Sequence, residues 1–207
     1  MVSSVRLYCL RHGESANVLA GAAGALPLAP LTDRGREQAS AAATGLATEP
    51  VAGIYASSAL RAQETAEIIA TALGLRPTIT ADLAEASVGT LEGATDATTR
   101  DLTADVLRSW VVDGDLDPRV ADGEDGHTVV ARMTRALDAI ADAHPGGTAV
   151  VVGHVASLTA ALATICHLGT QVWGTPLPHA VPFLVVRTPD GWRCPSWPAR
   201  RSATGPS

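Results

Sequence analysis

The amino-acid sequence predicts an α/β fold with a mostly parallel central sheet. Two short apolar runs, residues 5–10 and 148–153, have the composition of buried parallel strands. Each run is closely followed by a histidine, His12 or His154, and then by a segment that can form a helix. Strand and helix patterns also alternate between the two runs, which is typical of α/β proteins. Both histidines are therefore expected at equivalent strand ends, where such proteins place their sites.

The elements between those two strands follow in order. A helix is expected to begin at Asp33, because Thr32 is a good N-cap residue and acidic side chains follow it. Residues 53–57 predict a strand. Residues 60–73 carry apolar side chains at helical spacing, and Gly74 is a suitable stop for that helix.

The remaining segments are assigned by the same rules. Residues 77–80 and 181–187 predict strands, and residues 127–144 predict a helix that ends before Pro-Gly-Gly. Two stretches fit neither pattern. Residues 20–30 are rich in Gly, Ala and Pro, and residues 113–126 are acidic and Gly-rich, so we predict loops over the site.

Composition and charge restrict the functional classes. The chain of 207 residues is 46% hydrophobic, enough to bury the core of one domain. Its net charge is −6 and all 15 basic residues are arginines, so neither nucleic acid nor a membrane is an expected partner. The cysteines Cys9, Cys166 and Cys194 form no CxxC pair, which predicts neither a disulfide framework nor a zinc knuckle.

The chain is predicted to form one domain with a tail. We place the domain at residues 1–188 and a partly flexible C-terminal tail at residues 189–207. The N-terminal apolar run is too short for a signal sequence or a bilayer span, so a cytoplasmic location is expected. The oligomeric state stays open, with a homodimer as one alternative.

Several short motifs along the chain carry candidate chemistry. Phosphoryl transfer needs a nucleophile, an anion cradle and an acid for the leaving oxygen. Arg11 is suited to phosphate oxygens, and His12 and Gly13 follow it directly. Five further segments follow in order: Leu31-Thr32-Asp33-Arg34-Gly35, Ser57-Ser58-Ala59-Leu60-Arg61, Leu83-Ala84-Glu85, Gly89-Thr90-Leu91-Glu92-Gly93 and Val152-Gly153-His154.

With these motifs the sequence resembles the histidine phosphatase superfamily, in its phosphoglycerate mutase-like branch 1. The resemblance runs from about residue 5 to residue 162. It implies a three-layer α/β/α sandwich. It also implies that His12 is the nucleophile, that Glu85 is the general acid and that His154 is a second imidazole at the phosphate.

The same resemblance implies a set of phosphate-binding residues. Arg11 and Arg61 would hold the phosphate oxygens together with His154, and Asn17 and the backbone N–H of Val155 would add hydrogen bonds. Ser57 or Thr32 would support these groups. The resemblance implies no metal and no cofactor, because two arginines, two imidazoles and a helix N-terminus match the phosphate charge.

Three functions are compatible with this pattern. A phosphomonoesterase acting on a small phosphorylated metabolite through a phosphohistidine is favoured. A phosphoglycerate mutase is less favoured, because residues 93–99 lack the basic side chains that mutases use for a second anionic group. A non-catalytic phospho-ligand-binding module is the third alternative, because Val155 follows the second histidine where many relatives have glycine. The apolar residues 21–26 suggest a less polar or larger leaving group.

Overall fold

A six-stranded sheet forms the centre of the protein. The structure is a computed structural model and describes residues 4–174 and 176–198. In chain order the strands are β1 (Val5–Arg11), β2 (Val51–Ala56), β3 (Pro77–Ile79), β4 (Thr148–Gly153), β5 (Phe183–Thr188) and β6 (Gly191–Arg193). Their order across the sheet is β3-β2-β4-β1-β5-β6. The first four are parallel, whereas β5 and β6 are each antiparallel to the preceding strand in that order. The prediction of a mostly parallel sheet is confirmed.

Six α-helices surround the sheet in the described part of the chain. They are α1 (Ala16–Leu19), α2 (Asp33–Leu46), α3 (Leu60–Leu73), α4 (Ala97–Arg108), α5 (Gly126–Ala143) and α6 (Val155–Ile165). Thr32 caps α2 as predicted, with its side chain accepting a hydrogen bond from the backbone N–H of Gly35. In the described residues, no helix is both long enough and apolar enough to cross a bilayer.

Two apolar layers lie on opposite faces of the sheet. On β1, Leu7 belongs to the layer that packs against α5 and α6, whereas Leu10 belongs to the layer against α2 and α3. On β4, Val151 belongs to the layer against α5 and α6, and Val152 belongs to the layer against α2 and α3. Because successive side chains of a strand point to opposite faces, a continuously apolar strand can fill both layers. The predicted α/β/α sandwich is confirmed.

Three features of the fold differ from the predictions. Helix α4 was not predicted, because its sequence contains three threonines and a thin apolar face; its N-cap Asp96, which accepts from the N–H of Thr99, is the local signal for it. A single π-helical turn at Ser109–Asp113 follows it. Strand β6 falls within the predicted tail, and its Trp192 is 9% exposed. Residues 199–207 of that tail lie outside the described residues.

The sheet brings the two predicted histidines together. β1 and β4 are parallel neighbours, so the segments after them start at the same edge of the sheet. The backbone N–H of His12 donates to the carbonyl of Gly153 over 3.0 Å. Gly13 lies so close to Gly35 that a Cβ on either residue would overlap the backbone opposite, which explains the glycines of the first two motifs.

Candidate active site

His12 is buried at the end of β1 and its ring orientation is defined by two contacts. Nδ1 lies 2.6 Å from the carbonyl oxygen of Gly13, which can only accept, so Nδ1 carries a proton. Arg61 Nε donates to His12 Nε2 over 3.1 Å, so Nε2 carries a lone pair. Burial, reinforced by His154, Arg61 and Arg11, holds the pKa of His12 well below its usual value. The ring is therefore neutral, with Nε2 as the nucleophilic nitrogen.

Arg61 is the buried centre of the hydrogen-bond network around His12. It lies in the first turn of α3 and is only 1% exposed. Its Nη1 donates to the carbonyl of Leu26 and its Nη2 to that of Ala25, both over 2.8 Å. Nη2 also lies 3.2 Å from His154 Nδ1. The guanidinium thus joins both histidines to the predicted loop at residues 20–30.

His154 is fully buried at the end of β4, where it is the N-cap of α6. Its Nδ1 faces a donor, Arg61, and its Nε2 lies 2.7 Å from the hydroxyl oxygen of Ser57. The neutral ring therefore carries its proton on Nε2. Burial, with smaller effects of Arg61 and Arg11, lowers its pKa well below the usual value. Ser57 supports this imidazole as predicted, whereas Thr32 contacts Glu14 instead.

Arg11 provides a second guanidinium beside His12. Its Nη1 donates to the carbonyl of Leu177 over 3.3 Å. Its Nε is buried and has no hydrogen-bond partner among the described residues. Burial lowers the pKa of Arg11 to about 10, an effect that Glu85 opposes. Because a buried donor without a partner is costly, this side chain is suited to an anion in the cavity.

Glu85 lies across the cavity from the arginines, at the N-terminus of α6. Its carboxylate accepts hydrogen bonds from the backbone N–H groups of Ala86, Ala156 and Ser157 over 2.8–3.1 Å. The last two are first-turn donors of α6 that lack partners within the helix. The predicted acid therefore occupies part of the helix N-terminus that the sequence assigned to phosphate, while Val155 lies on the cavity wall at the first position of α6.

A partly buried ion pair holds the segment that carries Glu85. Arg132 on α5 donates to both carboxylate oxygens of Glu124, over 2.8 and 2.9 Å. The same guanidinium donates to the carbonyls of Asp82, Ala84 and Glu85. Arg132 was not predicted from the sequence. Nothing in its local pattern marks it, because its partners lie eight to 50 residues away.

These side chains line one cavity of about 360 Å³. It includes Arg11, His12, Asn17, Arg61 and Glu85. The Oδ1 atom of Asn17 accepts a hydrogen bond from the Ser15 hydroxyl over 2.7 Å, which fixes the orientation of the amide. Except for His154, which lies behind Arg61, every residue predicted for the site lines this cavity.

One further histidine lies beside His12. His179 Nδ1 is 3.0 Å from the carbonyl oxygen of His12, so Nδ1 donates, and the two ring centroids are 5.7 Å apart. Burial and then Arg11 lower the pKa of His179. The sequence offered only a weak signal for it, a Pro-His pair before the last predicted strand. His127 and His144 pair elsewhere, with Asp117 and with the Tyr55 hydroxyl.

Metal-binding side chains do not cluster in this site. Across residues 4–174 and 176–198, no group of three or more His, Cys, Asp or Glu side chains is arranged to hold a metal ion. The positive charge that faces the cavity is supplied by arginine guanidinium groups. The arrangement can hold an anion, present a nucleophilic nitrogen to it, and place a carboxyl group opposite.

Fold and site together define an α/β protein of the phosphoglycerate mutase-like type. A family model for the histidine phosphatase superfamily (branch 1) matches residues 7–199. The chain belongs to this superfamily, and the resemblance drawn from its motifs is confirmed.

Named relatives include mutases and phosphatases. The probable phosphoglycerate mutase GpmB of Escherichia coli O1:K1 is 30% identical over 170 residues, which cover 82% of this chain and 77% of that protein. A mycobacterial glucosyl-3-phosphoglycerate phosphatase superposes with a TM-score of 0.79 at 25% identity, covering 95% of this chain and 99% of that one. YhfR of Bacillus stearothermophilus gives a TM-score of 0.78 at 26% identity, covering 92% and 95%.

Proposed function

We propose that this protein hydrolyses the phosphate monoester of a small metabolite through a phosphohistidine at His12, without a metal ion. The observation that carries the proposal is the state of His12: a buried, neutral imidazole whose Nε2 lone pair lies against Arg61 at the cavity. A neutral imidazole beside guanidinium groups is suited to attack a phosphate that those groups hold.

The first step forms the phosphoenzyme. Phosphate oxygens replace Nε2 as acceptor of the Arg61 Nε–H, which frees the His12 lone pair to attack phosphorus. The new Nε2–P bond forms as the P–O bond to the leaving group breaks. Glu85, which enters this step with a proton taken up from solvent as the phosphate binds, donates that proton to the departing alkoxide oxygen. The Nδ1–H of His12 keeps its hydrogen bond to Gly13, which stabilises the positive charge that the ring gains.

The second step returns the enzyme to its starting state. Glu85, now unprotonated, takes a proton from water as the water oxygen attacks phosphorus. The Nε2–P bond breaks, and inorganic phosphate leaves. His154 assists in both steps. Because Ser57 occupies Nε2, Nδ1 is the nitrogen left to donate to a phosphate oxygen. It does so after the ring takes up a proton from solvent, which the charge of the bound dianion favours, and after Arg61 turns from Nδ1 to the phosphate. Asn17 and the Val155 N–H complete the cradle.

The choice of a phosphatase over a mutase rests on the cavity wall. A mutase must hold a second anionic group while the phosphohistidine persists. Apart from Arg11 and Arg61, the described cavity wall includes a single arginine, Arg100, whose guanidinium donates to its neighbour Thr95. Because the GpmB relatives are named as probable phosphoglycerate mutases, a mutase is the second candidate function.

Hydrolysis of p-nitrophenyl phosphate, with and without EDTA, tests the proposal. We expect turnover that EDTA does not change, and a loss of about 10⁴-fold in His12→Ala, because the nucleophile is removed. His127→Ala is the matched control, since His127 is exposed and pairs with Asp117 away from the cavity. Equal activity of wild type and His12→Ala would exclude the mechanism.

The intermediate and the mutase alternative need separate measurements. Rapid quenching with a labelled substrate is expected to trap an acid-labile, base-stable phosphoenzyme that His12→Ala lacks. A coupled assay on phosphoglycerates with a bisphosphate primer measures transfer. Transfer faster than phosphate release would assign the protein to the mutases instead. The absence of both phosphate release and phosphoryl transfer would indicate a binding module.

A further inference from the structure

Part of the cavity has an apolar wall. It is formed by α4, by the π-helical turn after it, by the loop that precedes α5 and by Val88, which follows the Glu85 segment. Val88, Trp110 and Val120 are 3%, 6% and 4% exposed, and Leu107 and Val106 complete this wall. We name these five residues the apolar wall. It is continuous with the side chains that hold phosphate in the proposed function, because both line one cavity.

The polar side chains around the apolar wall already have partners within the protein. Trp110 Nε1 donates to the Pro118 carbonyl over 2.8 Å, and the Thr103 hydroxyl donates to the Thr99 carbonyl over the same distance. The Ser87 hydroxyl accepts from a backbone N–H, and Glu124 is paired with Arg132. A sugar hydroxyl placed here would lose its water contacts and find few replacements, which is unfavourable.

We propose that this region of the cavity binds the hydrocarbon part of the leaving group, so that the substrates are monophosphates of predominantly apolar alcohols. The inference rests on the proposed function for the position of the phosphate. A cavity of about 360 Å³ lies at the small end of the range for ligand sites, which limits the alcohol to a short chain or a single ring.

A series of straight-chain alkyl phosphates from methyl to hexyl measures the effect of the apolar wall alone. The alcohols differ little in leaving-group chemistry, so changes in kcat/KM report binding of the chain. We expect kcat/KM to rise about two- to fourfold per added methylene until the cavity is full. The kcat/KM for propyl phosphate is expected to exceed that for glycerol 3-phosphate, which has the same carbon number, by about tenfold or more.

A pair of alanine variants tests the location. Ala104 is an exposed residue of α4 that lines the cavity, whereas Ala139 is an exposed residue of α5 that does not. Glutamine is a good helix former, so both proteins are expected to fold. Ala104→Gln is expected to lower kcat/KM for hexyl phosphate about tenfold and for methyl phosphate less than twofold. Ala139→Gln is expected to match wild type.

Binding of alkylphosphonates, which cannot be hydrolysed, separates this inference from the proposed function. By titration calorimetry, hexylphosphonate is expected to bind at least about 30-fold more tightly than methylphosphonate. Chain-length-independent kcat/KM and affinity would overturn the inference while leaving the phosphatase intact. Chain-dependent affinity without turnover of any phosphate ester would overturn the proposed function and leave the apolar site standing.

Discussion

The two ends of the cavity are built in different ways. At the phosphate end, His12, Arg61 and His154 are fixed by hydrogen bonds to side chains and to backbone carbonyls, and glycines allow close backbone contact. At the other end the wall is apolar, and the polar groups around it are hydrogen-bonded to other groups of the protein. The phosphate end therefore fixes the positions of individual atoms, whereas the apolar end defines only the shape of the cavity.

This difference reflects the physics of the two tasks. The N–H or lone pair of a guanidinium or imidazole must be positioned to within a few tenths of an ångström relative to its partner atom. Each of these groups therefore needs several defined hydrogen-bond partners. Apolar contact is non-directional and scales with area, so many combinations of side chains can form a similar wall. Substitutions are therefore expected to have large effects at the phosphate end and graded effects away from it.

Arg61→Lys is expected to give the largest effect of the substitutions that test this comparison. Lysine keeps the charge but offers one nitrogen in place of the three that contact His12, His154 and two loop carbonyls. We expect kcat/KM for p-nitrophenyl phosphate to fall about 10²- to 10³-fold. Arg36→Lys, at an exposed pair with Glu64, is the control. A loss below tenfold would show that charge alone suffices.

The pH dependence of stability also reports on the phosphate end. Burial keeps the pKa of His12 and of His154 below the usual value, so below about pH 6.5 the unfolded chain binds protons that the folded protein does not. The free energy of unfolding therefore decreases as pH falls, by up to about 1.4 kcal/mol per pH unit for each histidine.

Urea unfolding at pH 7.5, 6.5 and 5.5 measures that slope. His154→Gln is expected to reduce the slope between pH 6.5 and 5.5 by up to about 1.4 kcal/mol per unit, because one of the histidines with a lowered pKa is gone while His12 and His179 remain. His127→Asn, at an exposed position, is expected to leave it unchanged. An unchanged slope in His154→Gln would contradict the assignment of a buried, neutral imidazole at His154.

Glu92→Gln is expected to give the smallest effect, because it acts through the loop at residues 20–30, whose carbonyls hold Arg61. Glu92 is exposed, and its carboxylate accepts from the N–H groups of Ala25 and Val88 over 2.8 and 3.0 Å. An amide cannot accept on both sides, so the loop carbonyls that hold Arg61 loosen. We expect kcat/KM to fall about fivefold. Glu67→Gln, an exposed change on α3, is the control, and equal values for both variants would show that the loop needs no anchor.

The sequence predicted the framework of this protein to a large extent. Strands β1 and β4, helix α3 and the N-cap of α2 follow from local periodicity and from the residue types at the ends of elements. These signals depend on neighbours in the chain, so they can be recognised without a structure. Through the family resemblance, the ordered motifs also predicted Arg11, Asn17, Arg61 and Glu85, which line the cavity together with His12.

The tertiary structure alone decided how that framework becomes a site. It placed the Glu85 carboxylate on the N-terminus of α6, His179 beside His12, and Arg132 behind the Glu85 segment. It also showed that α4 contributes Val106 and Leu107 to the apolar wall. Each of these contacts joins residues distant in sequence, or depends on which face of an element is buried. Chain-local patterns carry no information about such pairings, whereas packing of the whole domain fixes them.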